Sequence, residues 1–146
     1  MTTSGIISTL LHHKGSAVWT ISDNTTVFEA IKFLAEKNIG ALPVMDGDRL
    51  VGIFSERDYT RKIALAGKSS KNTLVREIIS SPVLTITPHN TIEEAMRLMT
   101  DKHIRHLPVV DGGKMVGLVS IGDMVNWIIL AQSATIDQMQ SYLAGR

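Results

Sequence analysis

The sequence predicts an α/β (α+β) chain made of two copies of one βαββα unit. Three observations predict it. A fixed offset of 65 takes Pro43 to Pro108, Asp46 to Asp111, Gly52 to Gly117, Ser55 to Ser120 and Asp58 to Asp123, with no gap from 18–58 to 83–123. A Thr-x-x-Glu capping box opens a helical pattern in both copies, at Thr26/Glu29 and Thr91/Glu94. Each copy then carries two short apolar runs joined by Asp-Gly, a strong hairpin signal because glycine accepts the positive φ of a tight turn. One copy is too small to bury both faces of its sheet, so the two are expected to pack together.

In chain order, Ile6, Ile7, Leu10 and Leu11 have helical spacing, so residues 1–13 are expected to form a short amphipathic helix ending at Lys14-Gly15. Val18–Ile21 reads as a strand. Val27, Ala30, Ile31, Leu34 and Ala35 form one apolar stripe after the Thr26 cap. Leu42–Met45 and Leu50–Phe54 read as hairpin strands, with Pro43 near a strand start where a missing N–H is tolerated. Ser55-Glu56-Arg57-Asp58 opens a helix that runs to about Ala66 and stops at Gly67. KSSKNT at 68–73 reads as a polar linker, and Leu74, Val75, Ile78 and Ile79 as one or two helical turns before Ser81-Pro82. The second copy follows. Met124, Val125, Trp127, Ile128, Ile129 and Leu130 are apolar nearly all round their helix, which predicts burial on more than one side, and Ile136, Met139 and Leu143 continue the spacing. Surface of this kind predicts a homodimer. The expected domains are 1–67 (helix plus first repeat), 68–82 (linker and short helix) and 83–146 (second repeat plus C-terminal helix).

Composition narrows the functional classes. A net charge of +1 gives no global field for nucleic acid or an anionic membrane. The absence of cysteine excludes disulfides and thiolate metal sites. No apolar run is long enough for a signal-peptide core or a membrane span, so a cytoplasmic, soluble protein is expected. The five histidines have no metalloprotease spacing, and no nucleophile elbow, P-loop or Gly-x-Gly-x-x-Gly is present. Neither a metal site nor an enzyme is expected.

The duplicated Ser-x-x-Asp remains. Ordinary capping accounts for either copy taken singly. A ligand is the other reading: helix N-termini present free N–H groups to phosphate, and an adjacent carboxylate can accept both hydroxyls of a ribose. Arg57 and Arg105 can pair with phosphate oxygens, and Val18, Ile39, Val83 and Ile104 offer apolar walls for a purine.

GALPVMDGDRLVGIFSERD at 40–58 and RHLPVVDGGKMVGLVSIGD at 105–123, preceded by TTVFEAIKFLAEKNIG and NTIEEAMRLMTDKHIR, resemble a tandem pair of cystathionine-β-synthase (CBS) domains, or Bateman module. The chain is especially similar to small stand-alone bacterial pairs proposed to act in signal transduction. The resemblance implies two CBS repeats packed through their sheets with pseudo-twofold symmetry, a disk-like homodimer and a non-catalytic adenine-nucleotide sensor, with AMP or NAD favoured and ATP, ADP or S-adenosylmethionine as other candidates, acting on an unidentified regulated protein. It implies crosswise clefts: Ser55, Arg57 and Asp58 with Val83, Leu84, Ile104, Arg105 and His106; and Ser120, Gly122 and Asp123 with Lys14, Val18, Trp19, Ile39, Gly40 and Ala41. In this scheme Asp58 and Asp123 hold ribose, Ser55 and Ser120 approach phosphate or ribose, and Arg105, His106 and Lys14 meet phosphates. The alternative is a ligand-independent dimerisation scaffold.

Overall fold

The computed structural model describes residues 5–15, 17–79 and 83–143, with side chains described up to residue 133. Its elements are α1 (Ile7–Lys14), β1 (Ile21–Ser22), α2 (Val27–Lys37), β2 (Ala41–Asp46), β3 (Arg49–Ser55), α3 (Glu56–Tyr59), α4 (Ile92–Lys102), β4 (His106–Asp111), β5 (Lys114–Ser120) and α5 (Ile121–Leu143), with a 3₁₀ turn at Val75–Glu77. They divide into two compact units. A continuous unit spans Val18–Leu84, and a discontinuous one joins Met1–Ala17 to Thr85–Arg146.

In the continuous unit, β2 pairs antiparallel with β3, from Ala41 opposite Ser55 to Asp46 opposite Arg49, and β1 joins β2 in parallel with Ile21 opposite Val44. Thr26 caps α2 by accepting from the Glu29 amide, and Asn38 ends it in the left-handed conformation (φ 54°). Val27, Ala30 and Leu34 turn inward onto Leu42, Val44 and Phe54. The helical run from Glu56 is α-helical only to Tyr59. It widens to a π turn over Thr60–Ala64, where the Leu65 amide donates to the Thr60 carbonyl five residues back.

The discontinuous unit repeats this plan. Thr91 and Glu94 form the full capping box on α4 and His103 ends it at φ 56°. β4 and β5 pair from His106 opposite Ser120 to Asp111 opposite Lys114. Their turn has positive φ at both Gly112 and Gly113 (59° and 80°), as a type I′ turn requires. The strand-like opening of this repeat is a single bridge, Ile86 to Val109.

Three sequence expectations are corrected. First, α1 belongs with the second repeat, not the first. Its Ile7, Leu10 and Leu11 are buried with Ile92, Ala95, Leu107, Val109 and Val119, and its first amides are satisfied there: Ile7 donates to the Asn90 carbonyl and Ser8 to that of Pro88, both at 2.9 Å. Second, residues 68–73 are not a loose linker. The carbonyls of Thr73 and Ser70 accept from the Val27 and Phe28 amides, orphan donors at the start of α2, at 2.8 and 3.0 Å. Third, the strand expected at Val18–Ile21 is confined to Ile21–Ser22, and Val83 and Leu84 fall in the continuous unit. The tie between residues 83–86 and the β4–β5 hairpin begins only at Ile86, whose amide donates to the Pro108 carbonyl. On α5, Val125, Ile129 and Leu130 are about half exposed in the single chain, apolar surface that it does not cover itself. The expected helix stop at Ser81-Pro82 and the side chains of Ile136, Met139 and Leu143 lie outside the described residues.

A second internal register explains the first two corrections. Residues 73–79 relate to 5–11 by an offset of 68, Leu74 matching Ile6 and Ile79 matching Leu11. Val75 donates to Thr25 as Ile7 does to Asn90, and Arg76 to Asp23 as Ser8 does to Pro88. Each unit is therefore closed by a segment that precedes the other repeat in sequence. Among the described residues, no helix is long and apolar enough to cross a membrane.

The closing segments press on the two equivalent strand glycines. A Cβ at Gly52 would lie 2.9 Å from Ile79 Cδ1 and 3.1 Å from Ile79 Cβ; at Gly117 it would meet Leu11 Cδ2 at 2.7 Å. The leucine contact is a flexible side-chain end, whereas Ile79 Cβ is fixed to the main chain. Gly52→Ala is therefore expected to cost about 1–3 kcal/mol through overpacking, and Gly117→Ala less. Urea unfolding of the two variants checks the order.

Candidate functional site

In the continuous unit the β2–β3 pair places Ser55 beside Ala41, and the Glu56 amide closes the corner by donating to the Gly40 carbonyl at 3.1 Å. Ser55 Oγ accepts from the Asp58 amide, while Asp58 Oδ2 accepts from the Ser55 amide and hydroxyl at 3.0 and 3.1 Å. This is a complete capping box. Asp58 Oδ1 faces Lys62 Nζ at 3.5 Å, and the same ammonium donates to the Ile78 carbonyl at 2.6 Å. Ile39 packs on the core beside this corner, and Arg57 stands exposed in the first turn of α3. Trp19 is 53% exposed, with its ring edge-on to Phe33 and Lys37 Nζ 4.2 Å above it.

The discontinuous unit builds the same corner. Ser120 lies opposite His106, and the Ile121 amide donates to the Arg105 carbonyl at 2.9 Å. Ser120 Oγ accepts from the Asp123 amide at 3.1 Å, and Asp123 Oδ2 accepts from the Ser120 amide at 2.8 Å. Lys14 reaches in from α1. Its Nζ sits 2.6 Å from Asp123 Oδ2 and donates to the Leu118 carbonyl at 2.7 Å. Gly122 has room beside Ser120 Oγ, and Ile104 packs against the core. A cavity of about 310 Å³ opens at this pair, lined by Leu10, His13, Lys14, Asp123, Asn126, Trp127 and Leu130.

The expected site residues thus form two groups. Val18, Trp19, Ile39, Gly40, Ala41, Ser55, Arg57, Asp58, Val83 and Leu84 belong to the continuous unit; Lys14, Ile104, Arg105, His106, Ser120, Gly122 and Asp123 belong to the other. Lys14 and Asp123, expected in one cleft, do meet. Sequence reasoning missed Lys62, although its i,i+4 spacing from Asp58 signals the pair. It also missed His13 and Trp127, whose rings meet edge-on at 5.6 Å, because that contact joins the two ends of the chain. Among the described residues, no group of three metal-ligating side chains is gathered.

A family model for the CBS domain matches residues 15–65 and 75–130. The chain belongs to the CBS-domain family. The mitochondrial CBS domain-containing protein CBSX3 of Arabidopsis thaliana is 40% identical over 136 residues, covering 90% of this chain and 66% of that protein, so this CBS pair spans just under two thirds of its relative's length. A proposed signal-transduction protein with CBS domains from Burkholderia ambifaria superposes with a TM-score of 0.82 at 46% identity, over 86% of this chain and 94% of that one. The CBS domain pair of protein MJ0100, solved with 5′-methylthioadenosine and S-adenosyl-L-methionine, superposes with a TM-score of 0.72 at 27% identity, over 84% and 94% of the two chains.

In this CBS pair His106 is pushed below the ordinary range of histidine. Burial lowers its pKa, Asp123 opposes that, and Lys14 and Arg105 add to the lowering. The folded protein therefore refuses a proton that the unfolded chain accepts near pH 6.5. The contribution of neutral His106 is full above about pH 6.5 and is lost as the pH falls below it. His106→Gln should flatten the loss of stability between about pH 6.5 and 5; denaturant titrations across that range measure it, and an unchanged slope refutes it.

Proposed function

We propose that this CBS pair is a non-catalytic sensor of adenosyl ligands, AMP or NAD foremost, with ATP, ADP and S-adenosylmethionine as other candidates. The observation that carries the reading is the pair of acid-bearing helix starts, each a carboxylate ordered by its own serine–aspartate capping box with an ammonium nearby. Capping does not exhaust the acids. A carboxylate offers about four lone-pair sites, and the contacts of Asp123 with described residues all fall on Oδ2, which leaves Oδ1 for ribose hydroxyls. The adenosyl ligands of the related MJ0100 pair support the same chemistry. Ser55 and Ser120 are assigned to phosphate or ribose, Arg57, Arg105, His106 and Lys14 to phosphate charge, and Val18, Trp19, Ile39, Gly40, Ala41, Val83, Leu84 and Ile104 to the purine. Ligand acts on a regulated protein only by its differential affinity for two states of the pair.

Binding to the folded state stabilises by mass action, by about 2.7 kcal/mol at a hundredfold excess over Kd. AMP or NAD at millimolar concentration should raise the melting temperature. Asp58→Ala and Asp123→Ala should each remove one binding event in calorimetry, a loss of about tenfold or more for a charge-assisted hydrogen-bond pair. No shift with any adenylate would refute the sensor and favour the scaffold reading.

The half-exposed Val125, Ile129 and Leu130 on α5 favour a second copy of the chain as their cover. Ile129→Asp should convert a dimer to monomer in sedimentation velocity. A wild-type monomer at micromolar concentration removes this part of the proposal.

A further inference from the structure

The two acids are neutralised from different places. Lys62 follows Asp58 on the same helical run, stands 3.5 Å from the carboxylate and gives its shorter bond, 2.6 Å, to the Ile78 carbonyl. Lys14 comes from the far end of the chain, on α1, and lies 2.6 Å from Asp123. The closer ammonium therefore occupies the carboxylate that the proposed site needs for ribose.

We propose that Lys14 is a tethered competitor at Asp123, and that it makes this site selective for adenosyl ligands carrying an anionic group. The inference rests on the reading that Asp123 holds ribose. Oδ1 of Asp123 is open to one ribose hydroxyl, but a vicinal diol gripped by both carboxylate oxygens must share or displace the ammonium on Oδ2. Displacement costs Lys14 an ion pair and its bond to the Leu118 carbonyl, for which water is the only replacement when the ligand brings no anion. A phosphate brought by the ligand restores an acceptor for that cation. Neutral adenosine restores nothing, and a sulfonium ligand adds like-charge repulsion. The surroundings reinforce this. Arg105 and Lys14 both act on His106 as positive charges, and the cavity beside the pair, walled by His13, Asn126 and Trp127, gives the ammonium space to turn while α1 stays in place.

The test is calorimetry on the full-length Asp58→Ala chain, in which only the Asp123 site reports, with AMP and adenosine as probes sharing base and ribose. AMP should bind at least tenfold more tightly. Lys14→Met should weaken AMP and tighten adenosine, opposite signs that loss of a structural strut would not give; Lys14→Arg should keep the preference. Salt supplies a second measurement that does not depend on the folding of a Lys14 variant. Screening weakens both the AMP contact and the Lys14–Asp123 pair, so affinity for AMP should fall with salt while affinity for adenosine rises. Equal weakening of both ligands in Lys14→Met, an AMP preference that survives it, or parallel salt slopes would overturn the inference while leaving nucleotide binding intact. Failure of both probes to bind the unsubstituted chain would overturn the nucleotide reading, and this inference with it.

Discussion

Each repeat has helix-start amides and loop carbonyls that it cannot satisfy alone, and the chain meets both needs with a borrowed segment. Val75 and Arg76 donate to Thr25 and Asp23, and Val27 donates back to Thr73; Ile7 and Ser8 donate to Asn90 and Pro88, and Ile92 donates back to Gly5. An unpaired buried backbone group costs about as much as a lost hydrogen bond, so these reciprocal bonds fix where each segment docks. Much else follows from that docking. It brings Ile79 against Gly52 and Leu11 against Gly117, which explains the absence of a side chain on those strand positions. It carries Lys14 to Asp123 and puts Ile78 within reach of Lys62.

The two units share a backbone plan and differ in charge. Both first turns are ordered by the same box of serine and aspartate, so the acid is held in one orientation twice. Around it the residues diverge: Glu56-Arg57 against Ile121-Gly122, Gly40-Ala41 against Arg105-His106, Lys62 against Trp127. In the continuous unit the cation follows the acid by one turn, so the pair is local and exposed to screening. In the other unit the cation arrives through tertiary packing of α1. Its position therefore depends on the burial of Ile7, Leu10 and Leu11 as well as on charge.

Most of the fold was legible in the sequence because its signals are local. The Thr91–Glu94 capping box, the Thr26 half of the expected first box, the Gly112-Gly113 turn and the apolar stripe of α2 each depend on residues within a few positions of one another, and all appear. The Ser-x-x-Asp motifs were legible for the same reason. What failed was non-local. The destination of α1 is decided by backbone bonds to Pro88 and Asn90, more than 70 positions away, and nothing in its own spacing favours one repeat over the other. Residues 68–73 look like a linker because their polar side chains carry the signal, whereas their carbonyls do the docking. The 68-residue register between 5–11 and 73–79 matches in apolar pattern but in few identities, and became evident only through its matching hydrogen bonds.

The borrowed segments also set the order in which the chain can assemble. The continuous unit holds all of its partners within 18–84, so its contacts are available as soon as that stretch exists. The first helix has no such option. Its acceptors at Pro88 and Asn90 and its ion-pair partner Asp123 are synthesised long after it, so α1 must wait with Ile7, Leu10 and Leu11 unburied until β5 and the start of α5 emerge. Closing so long a loop adds entropy that the continuous unit never meets. Helix α1 is made before either repeat yet is among the last elements to dock, and its lysine joins Asp123 only when the second repeat is nearly complete.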